Sequence, residues 1–353
     1  MMTSRKPDFK QLRTALMGGK PDKVPLCELY HDLEIRDSYM GREVNTTRDI
    51  IEFYAEAGYD FIPVNVPVEG RPLLSEAEET AKTSADRAER AAMAARTYAE
   101  SDNESIVITN RDDFEAYNWP NPDELDLSYF DQLPDLLSDG MKAIVTQGGT
   151  YEDVSQMMGY ENYCLALYDD EQLVADMYDK IGAWKLAVFE KVISLDSVGA
   201  VWHSDDLGYT EGLLFDPEIM RRYLFPWYKR MGDLTKKHDK PFIFHSDGRL
   251  WEIIEDLIDS GYNALQPIEP KSWDAREVKA RYGDRLCLMG TIDLDRLLCR
   301  GTPEEVTAAV KKDIEELGRD GGFCVGTSNT PAYYMDIDNF RAMVEATLEY
   351  GGG

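Results

Sequence analysis

Positive charge is scarce in this chain. Its 353 residues hold 38 Lys and Arg against 67 Asp and Glu, a formal charge of −29. Such a surface repels phosphate backbones and anionic lipid, which argues against nucleic acid and membrane as partners. Its plainest reading is a solvated acidic exterior. Long apolar runs are missing too: none approaches the roughly 18 residues of a membrane span, and no apolar stretch follows Met1-Met2-Thr3-Ser4-Arg5-Lys6. Cysteine is sparse. Cys27, Cys164, Cys287, Cys299 and Cys324 are odd in number and show no CxxC spacing. This argues against a disulfide framework and for a reducing compartment, so a cytoplasmic location is expected. P-loop, GxGxxG and GxSxG patterns do not occur. Histidine is rarer still, with four in the whole chain, and their placement becomes informative.

Hydrophobic residues make up 43% of the chain, enough for a large core. Eight short β-type runs can be marked: Val24–Leu29, Asp60–Val64, Lys142–Gln147, Val198–Asp205, Pro241–His245, Asn263–Ile268, Leu286–Ile292 and Gly322–Thr327. Most are continuously apolar rather than alternating, as in strands buried on both faces of a parallel sheet. Helical patterns intervene at Pro217–Leu234, Trp251–Gly261 and Pro303–Leu317, the last with Thr302 as N-cap and Pro303 at the first helical position. The expected fold is a single-domain α/β chain over residues 1–353, a (β/α)8 TIM barrel. A long insertion, Val66–Met141, follows the second run. It holds an alanine-rich helical segment (Glu76–Tyr98), a short strand (Ser105–Asn110) and the turn-rich Trp119-Pro120-Asn121-Pro122-Asp123. Such a connection is functional or an oligomer contact, which leaves a homodimer open.

In a barrel, chemistry gathers at the C-terminal ends of the strands. Three of the four histidines, His31, His203 and His245, fall at such ends; His238 lies in a polar loop. Runs four and five end alike, at His203-Ser204-Asp205 and at His245-Ser246-Asp247. Residues i and i+2 of a strand share a face, so each motif presents an imidazole and a carboxylate together. The pair serves as a general acid/base, as two metal ligands, or as a structural hydrogen-bonded pair. Glu28, a carboxylate inside an apolar run, needs a cation, a metal or a proton to be buried there. Further polar strand-end groups are Tyr30, Asn65, Gln147, Tyr151, Glu152, Gln266, Glu269, Asp293 and Asn329; for Gln266 and Asp293 a turn or cap role competes. Tyr30, Trp119, Tyr151, Trp202, Tyr209, Tyr333 and Tyr334 could line an apolar pocket, and the strand cysteines read as buried structural thiols.

The stretch PFIFHSDGRLWEIIEDLIDSGYNALQPIEP, followed by RYGDRLCLMGTIDLDRLL, GTPEEV and GGFCVGTSN, resembles the uroporphyrinogen decarboxylase superfamily, as do Lys23–Glu28 and the region of Gly159-Tyr160-Glu161. The resemblance implies a (β/α)8 barrel, and either decarboxylation or zinc-dependent, corrinoid-linked methyl transfer. The decarboxylases carry an arginine-rich motif after the first strand; here Glu28-Leu29-Tyr30-His31-Asp32 stands instead. Their aspartate after strand two corresponds to Asn65, and their last-strand histidine falls near Asn329. The methyltransferases bind zinc through His-x-Cys after strand five and a later cysteine. Here His245 matches, Asp247 replaces the cysteine, Ser328 or Asn329 stands near the second, and Cys324 lies about four residues early.

The leading expectation is therefore a methyltransferase-like enzyme moving a methyl group from a small O- or N-methyl compound to a corrinoid protein. Its catalytic residues are expected to be His245, Asp247, His203, Asp205 and Glu28. Tyr30, His31, Asn65, Tyr151, Trp202 and Asn329 are expected to meet the substrate. Zinc or another divalent metal would sit on His245, Asp247 and Glu28, and the corrinoid would be carried by a partner protein. The alternatives are a decarboxylase or lyase acting on another acid, and a barrel that binds a small molecule without catalysis.

Overall fold

A computed structural model describes residues 5–66 and 106–352. Seven parallel strands form one sheet: β1 (Phe61–Asn65), β2 (Lys142–Gln147), β3 (Val198–Ser204), β6 (Phe242–His245), β7 (Ala264–Gln266), β8 (Cys287–Met289) and β9 (Phe323–Cys324). Their spatial order equals their chain order. A doubly wound sheet reverses direction at a switch point; this one never does, which is the topology of a barrel. A small antiparallel hairpin, β4 (Gly208–Tyr209) and β5 (Gly212–Leu213), follows β3.

The first apolar run, Val24–Leu29, differs from expectation. It makes one parallel bridge, Leu26 to Val325, and no full strand. Pro25 has no N–H to give the ladder, so pairing is limited to Cys27 N donating to Val325 O and Val325 N donating to Pro25 O. The run still takes its place beside β9, continuing the chain-ordered sheet.

Helices separate the strands, and their ends follow local chemistry. Pro303–Leu317 begins with Thr302 and Glu305 in a reciprocal capping box and Pro303 in its first turn. The helical pattern at Pro217–Leu234 is interrupted by a π-turn at Met220–Leu224 before an α-helix resumes at Phe225–Lys237. Pro226 cannot donate to the carbonyl four residues earlier, so the ladder widens there. The Trp251–Gly261 pattern is helical over Ile254–Asp259. Asp293 caps the turn at Leu294–Cys299, accepting from Arg296 N at 2.8 Å. In the long β1–β2 connection, Glu76–Tyr98 lies outside the described residues. The strand expected at Ser105–Asn110 is not formed over its described part. Val107 N and Ile108 N both donate to Met157 O, and Asn110 caps the helix Arg111–Ala116. Cys27, Cys287 and Cys324 are buried free thiols in the sheet core, with Cys287 Sγ and Cys324 Sγ 3.8 Å apart. No helix among the described residues is long and apolar enough to cross a membrane.

Candidate metal centre and substrate cleft

Three donor groups converge where β3 and β6 end. One ligand atom each from Asp206, His245 and Asp247 lies within 4.8 Å of the others. His245 closes β6, and Gln266 closes β7 as its register partner. The Gln266 side-chain Oε1 takes a hydrogen bond from His245 Nδ1. An amide oxygen only accepts, so Nδ1 carries a hydrogen, and Nε2 is the nitrogen that a metal ion would meet in the neutral ring. That nitrogen faces Asp206 Oδ1 at 3.9 Å.

The loop after β6 is locked from several sides. Asp247 N donates to Asp206 Oδ1 at 2.8 Å, Gly248 N donates to Glu269 Oε2 at 2.8 Å, and Trp273 Nε1 donates to Gly248 O at 2.8 Å. Ser246 Oγ accepts from Leu207 N at 2.9 Å, a structural role. Gly248 has φ +82, and a Cβ there would lie 2.3 Å from Tyr209 N, so only glycine lets the hairpin close on this loop. Asn329 Nδ2 donates to both oxygens of Asp247, at 3.1 and 2.9 Å.

Of these groups Asp206, Asp247, Gly248 and Glu269 border a cleft of about 620 Å³, within the usual range for small-molecule sites. Tyr151, Tyr160 and Tyr209 form aromatic walls, and Glu152, Asp206, Asp247 and Glu269 supply carboxylates. Among the described residues one basic side chain lines it, Lys271, whose Nζ is 2.9 Å from Glu269 Oε1. The crowding shows in protonation. Burial raises the Asp247 carboxyl to about 6; Asp206 and Glu269 push the same way, against His245 and the Asn329 donor. Burial, then Asp205, Asp206 and Asp153, raise Glu152 to about 8.

The raised Asp247 fixes a stability prediction. Its folded form keeps a proton that the unfolded chain gives up near 3.8. This group's contribution is therefore fully favourable below that pH and is withdrawn as pH rises to about 6. Asp247→Asn removes the charge while keeping the shape. In metal-free buffer we expect it to stabilise the protein at pH 7 by roughly 2–3 kcal/mol, with the gain vanishing near pH 4. Urea unfolding at the two pH values measures this; equal stability of both proteins at pH 7 would show that the carboxylate is not crowded.

The other expected site residues are distributed unevenly. His203-Ser204-Asp205 does not join His245. In the register Ser204 pairs with His245 and His203 with Phe244, so the second motif is out of phase by one residue and its histidine takes the opposite face. His203 is fully buried among Tyr228, Phe242, Phe244 and Tyr262, with Nδ1 2.7 Å from Tyr262 OH. Burial drives its pKa well below the usual histidine range. Asp205 accepts from Tyr151 N at 2.9 Å, Glu152 N at 3.0 Å and Tyr228 OH at 2.5 Å. It anchors the first turn of the helix Thr150–Met158. Asp206, one residue later, is the carboxylate that reaches His245; the doubled acid at a strand end was its only sequence signal.

Glu28 does not complete the metal set. Thr327 engages both its oxygens, with N at 2.6 Å from Oε1 and Oγ1 at 2.9 Å from Oε2. Thr327 Oγ1 also bonds to Asn329 O. One hydroxyl hydrogen cannot serve both acceptors, so the arrangement closes with Glu28 protonated and donating to Thr327 Oγ1. Burial raises the Glu28 pKa well above its usual range, in agreement. Of the three explanations for its burial, the proton fits. His31 is withdrawn from the mouth, its ring nitrogens 3.1 Å from Tyr54 OH and 3.0 Å from Tyr59 OH. Trp202 is fully buried in the core, 6.3 Å from the Phe61 ring. Asn65 Oδ1 accepts from Thr146 Oγ1, and Tyr30 is half exposed beyond the first run. Tyr151 and Asn329 do reach the cleft or its ligands.

Comparison with known proteins agrees with this architecture. The chain is 30% identical over 194 residues to a uroporphyrinogen decarboxylase of Methylococcus capsulatus, covering 53% of this chain and 51% of that protein. It is 27% identical over 136 residues (38% and 34% of the two chains) to a methylated-thiol–coenzyme M methyltransferase of Methanosarcina mazei. It is 29% identical over 140 residues (39% and 38%) to the methylcobamide:CoM methyltransferase MtaA of Methanosarcina barkeri. The chain thus spans about half or less of the length of these curated relatives. A solved methyltransferase from Methanosarcina mazei superposes with a TM-score of 0.67 at 15% identity, over 98% of this chain and 99% of that one, and so shares the fold. The family model "Uroporphyrinogen decarboxylase (URO-D)" matches residues 93–350, and the chain belongs to that family.

Proposed function

We propose that this protein is a methyltransferase of the family, moving a methyl group from a small O- or N-methyl compound to the cobalt of a corrinoid protein. The observation that carries this is the convergence of Asp206, His245 and Asp247 beside a cleft whose one lining base among the described residues is already paired. A decarboxylase for a polyanionic substrate needs unpaired cations, and among the described residues none lines this cleft. The related methyltransferases of Methanosarcina, one of them named for methylcobamide, support the same reading.

The three donors suit a divalent ion. Two carboxylates and a neutral imidazole are oxygen and nitrogen ligands for zinc or a somewhat harder metal. His245 has its lone pair fixed by Gln266, the outer-shell arrangement expected of a metal-binding histidine. When bound, such an ion would supply Lewis acidity to a donor oxygen or nitrogen that carries a lone pair; an ammonium nitrogen has none and, being already cationic, needs no such activation. The protein's own residues do the rest. Asn329 holds Asp247, Gln266 orients His245, and the tyrosine walls exclude water from the methyl group. The bond from methyl carbon to oxygen or nitrogen breaks with its electron pair staying on that atom. The new bond to carbon uses the electron pair of cob(I)alamin.

Two substitutions separate this ligand set from one containing Glu28. Asp206→Asn should release bound zinc during dialysis, while Glu28→Gln should keep wild-type metal content by elemental analysis. The opposite pattern would return Glu28 to the site. For the activity, purified protein, zinc, cob(I)alamin and a panel of methylated ethers and amines should give the methylcobalamin spectrum. No signal with any donor, or CO2 released from an acid without corrinoid, would refute methyl transfer.

A further inference from the structure

Resting on the methyl-transfer reading, we infer that the cleft takes a cationic methyl donor, a methylated ammonium compound, in preference to a neutral ether or an anionic one. Aromatic walls alone would serve any of these. Tyr160 and Tyr209 keep 58% and 51% of their surface exposed, unusual for large side chains lining a concave site, and so are free to cover a ligand. The charge around them discriminates. Glu152 and Asp206 face the same space, while Lys271 is neutralised by Glu269 at 2.9 Å. An anion meets repulsion there. A neutral ring gains only contact with the walls. A methylated ammonium gains twice, from the negative faces of the tyrosine rings and from the carboxylate field.

Glu152 lies outside the metal triad, so it can act as counter-ion with the metal in place. Burial first, and then Asp205, Asp206 and Asp153, raise its carboxyl pKa; an arriving cation acts against these and favours the ionised form. The chemistry is also simpler for this donor. When the C–N bond breaks, its pair stays on nitrogen and the product is a neutral amine. No proton has to be supplied, whereas an ether would leave an oxyanion needing one.

The test is direct calorimetric titration of the full-length protein with choline and with tetramethylammonium chloride. The controls are 3,3-dimethylbutan-1-ol, the uncharged carbon isostere of choline, and veratrole, a neutral aromatic ether. Choline should bind at least about tenfold more tightly than its isostere, in both zinc-loaded and chelator-treated protein. Tyr209→Leu and Glu152→Gln should each weaken choline about five- to tenfold, with far-UV dichroism unchanged. Equal affinity for choline and the isostere, or indifference to both substitutions, would overturn the inference. Methyl transfer from veratrole without choline binding would overturn it too and leave the methyl-transfer reading standing. Choline binding with no methyl transfer from any donor would instead remove that reading and retain the cationic ligand class.

Discussion

His245→Ala should lower the affinity of the cleft for zinc by more than about a hundredfold. Altering an outer-shell partner of a metal ligand typically costs 10- to 100-fold, and this substitution deletes the ligand itself. Three donors converge in the cluster among the described residues, so two carboxylates of that set would remain. Those carboxylates already repel each other: Asp206 is the strongest charge acting on Asp247, after burial. Without imidazole between them they present a weaker, less directional site. The side chain is 12% exposed and makes one side-chain hydrogen bond, to Gln266, so folding should survive its removal. Competition against a chromophoric chelator measures the affinity. Gln266→Leu, which frees the histidine tautomer but leaves the ligand, should fall between wild type and His245→Ala. Zinc affinity within threefold of wild type in His245→Ala would remove His245 from the metal site, and with it the proposed catalytic centre.

The second large effect is on stability. Asp205→Ala should destabilise the fold by about 3–5 kcal/mol, because three buried donors lose their acceptor together. Tyr151 N and Glu152 N open the helix Thr150–Met158, and Tyr228 OH comes from the helix Phe225–Lys237. One carboxylate thus ties two helices to the end of β3. Asp205→Asn keeps an acceptor oxygen and should recover most of the loss. The effect also depends on pH. Burial raises Asp205 to about 6, so its folded form holds a proton that the unfolded chain releases near 3.8. Stability contributed by the protonated form is withdrawn as pH rises between those values. Urea titrations at pH 5 and pH 7.5 should therefore show Asp205→Asn gaining on wild type at the higher pH, where the ionised wild-type carboxylate has lost this contribution. An Asp205→Ala protein as stable as wild type would mean that the three donors find water or other partners. Loss of methyl transfer in Asp205→Asn at wild-type stability would instead give the residue a chemical role.

Much of the barrel is legible in the order of residues. Apolar runs such as Ala143-Ile144-Val145 and Phe242-Ile243-Phe244 are too short for helices and too uniformly apolar for one-faced strands. They recur with helical patterns between them, which is the local signature of a parallel sheet covered on both sides. The cap at Thr302 and the polar ends at His245 and Asp247 depend only on nearby residues, and they stand where the sequence implies. The family resemblance read from Pro241 onward agrees with the matched residues 93–350.

What required the tertiary structure was facing and partnership. Two identical His-Ser-Asp triplets look equivalent in sequence. The β3–β6 register offsets them by one residue, and a one-residue offset turns a side chain to the other face of a sheet. That single step buries His203 among aromatic rings and makes Asp206, rather than Asp205, the companion of His245. Glu28 and Thr327 are 299 residues apart, so no local pattern could pair them; their contact exists only because the first run lies beside the last strand. Periodicity is a property of neighbours along the chain, and it determined the strands. A candidate ligand set is a property of neighbours in space, and here the register brought Asp206 rather than Asp205 to His245.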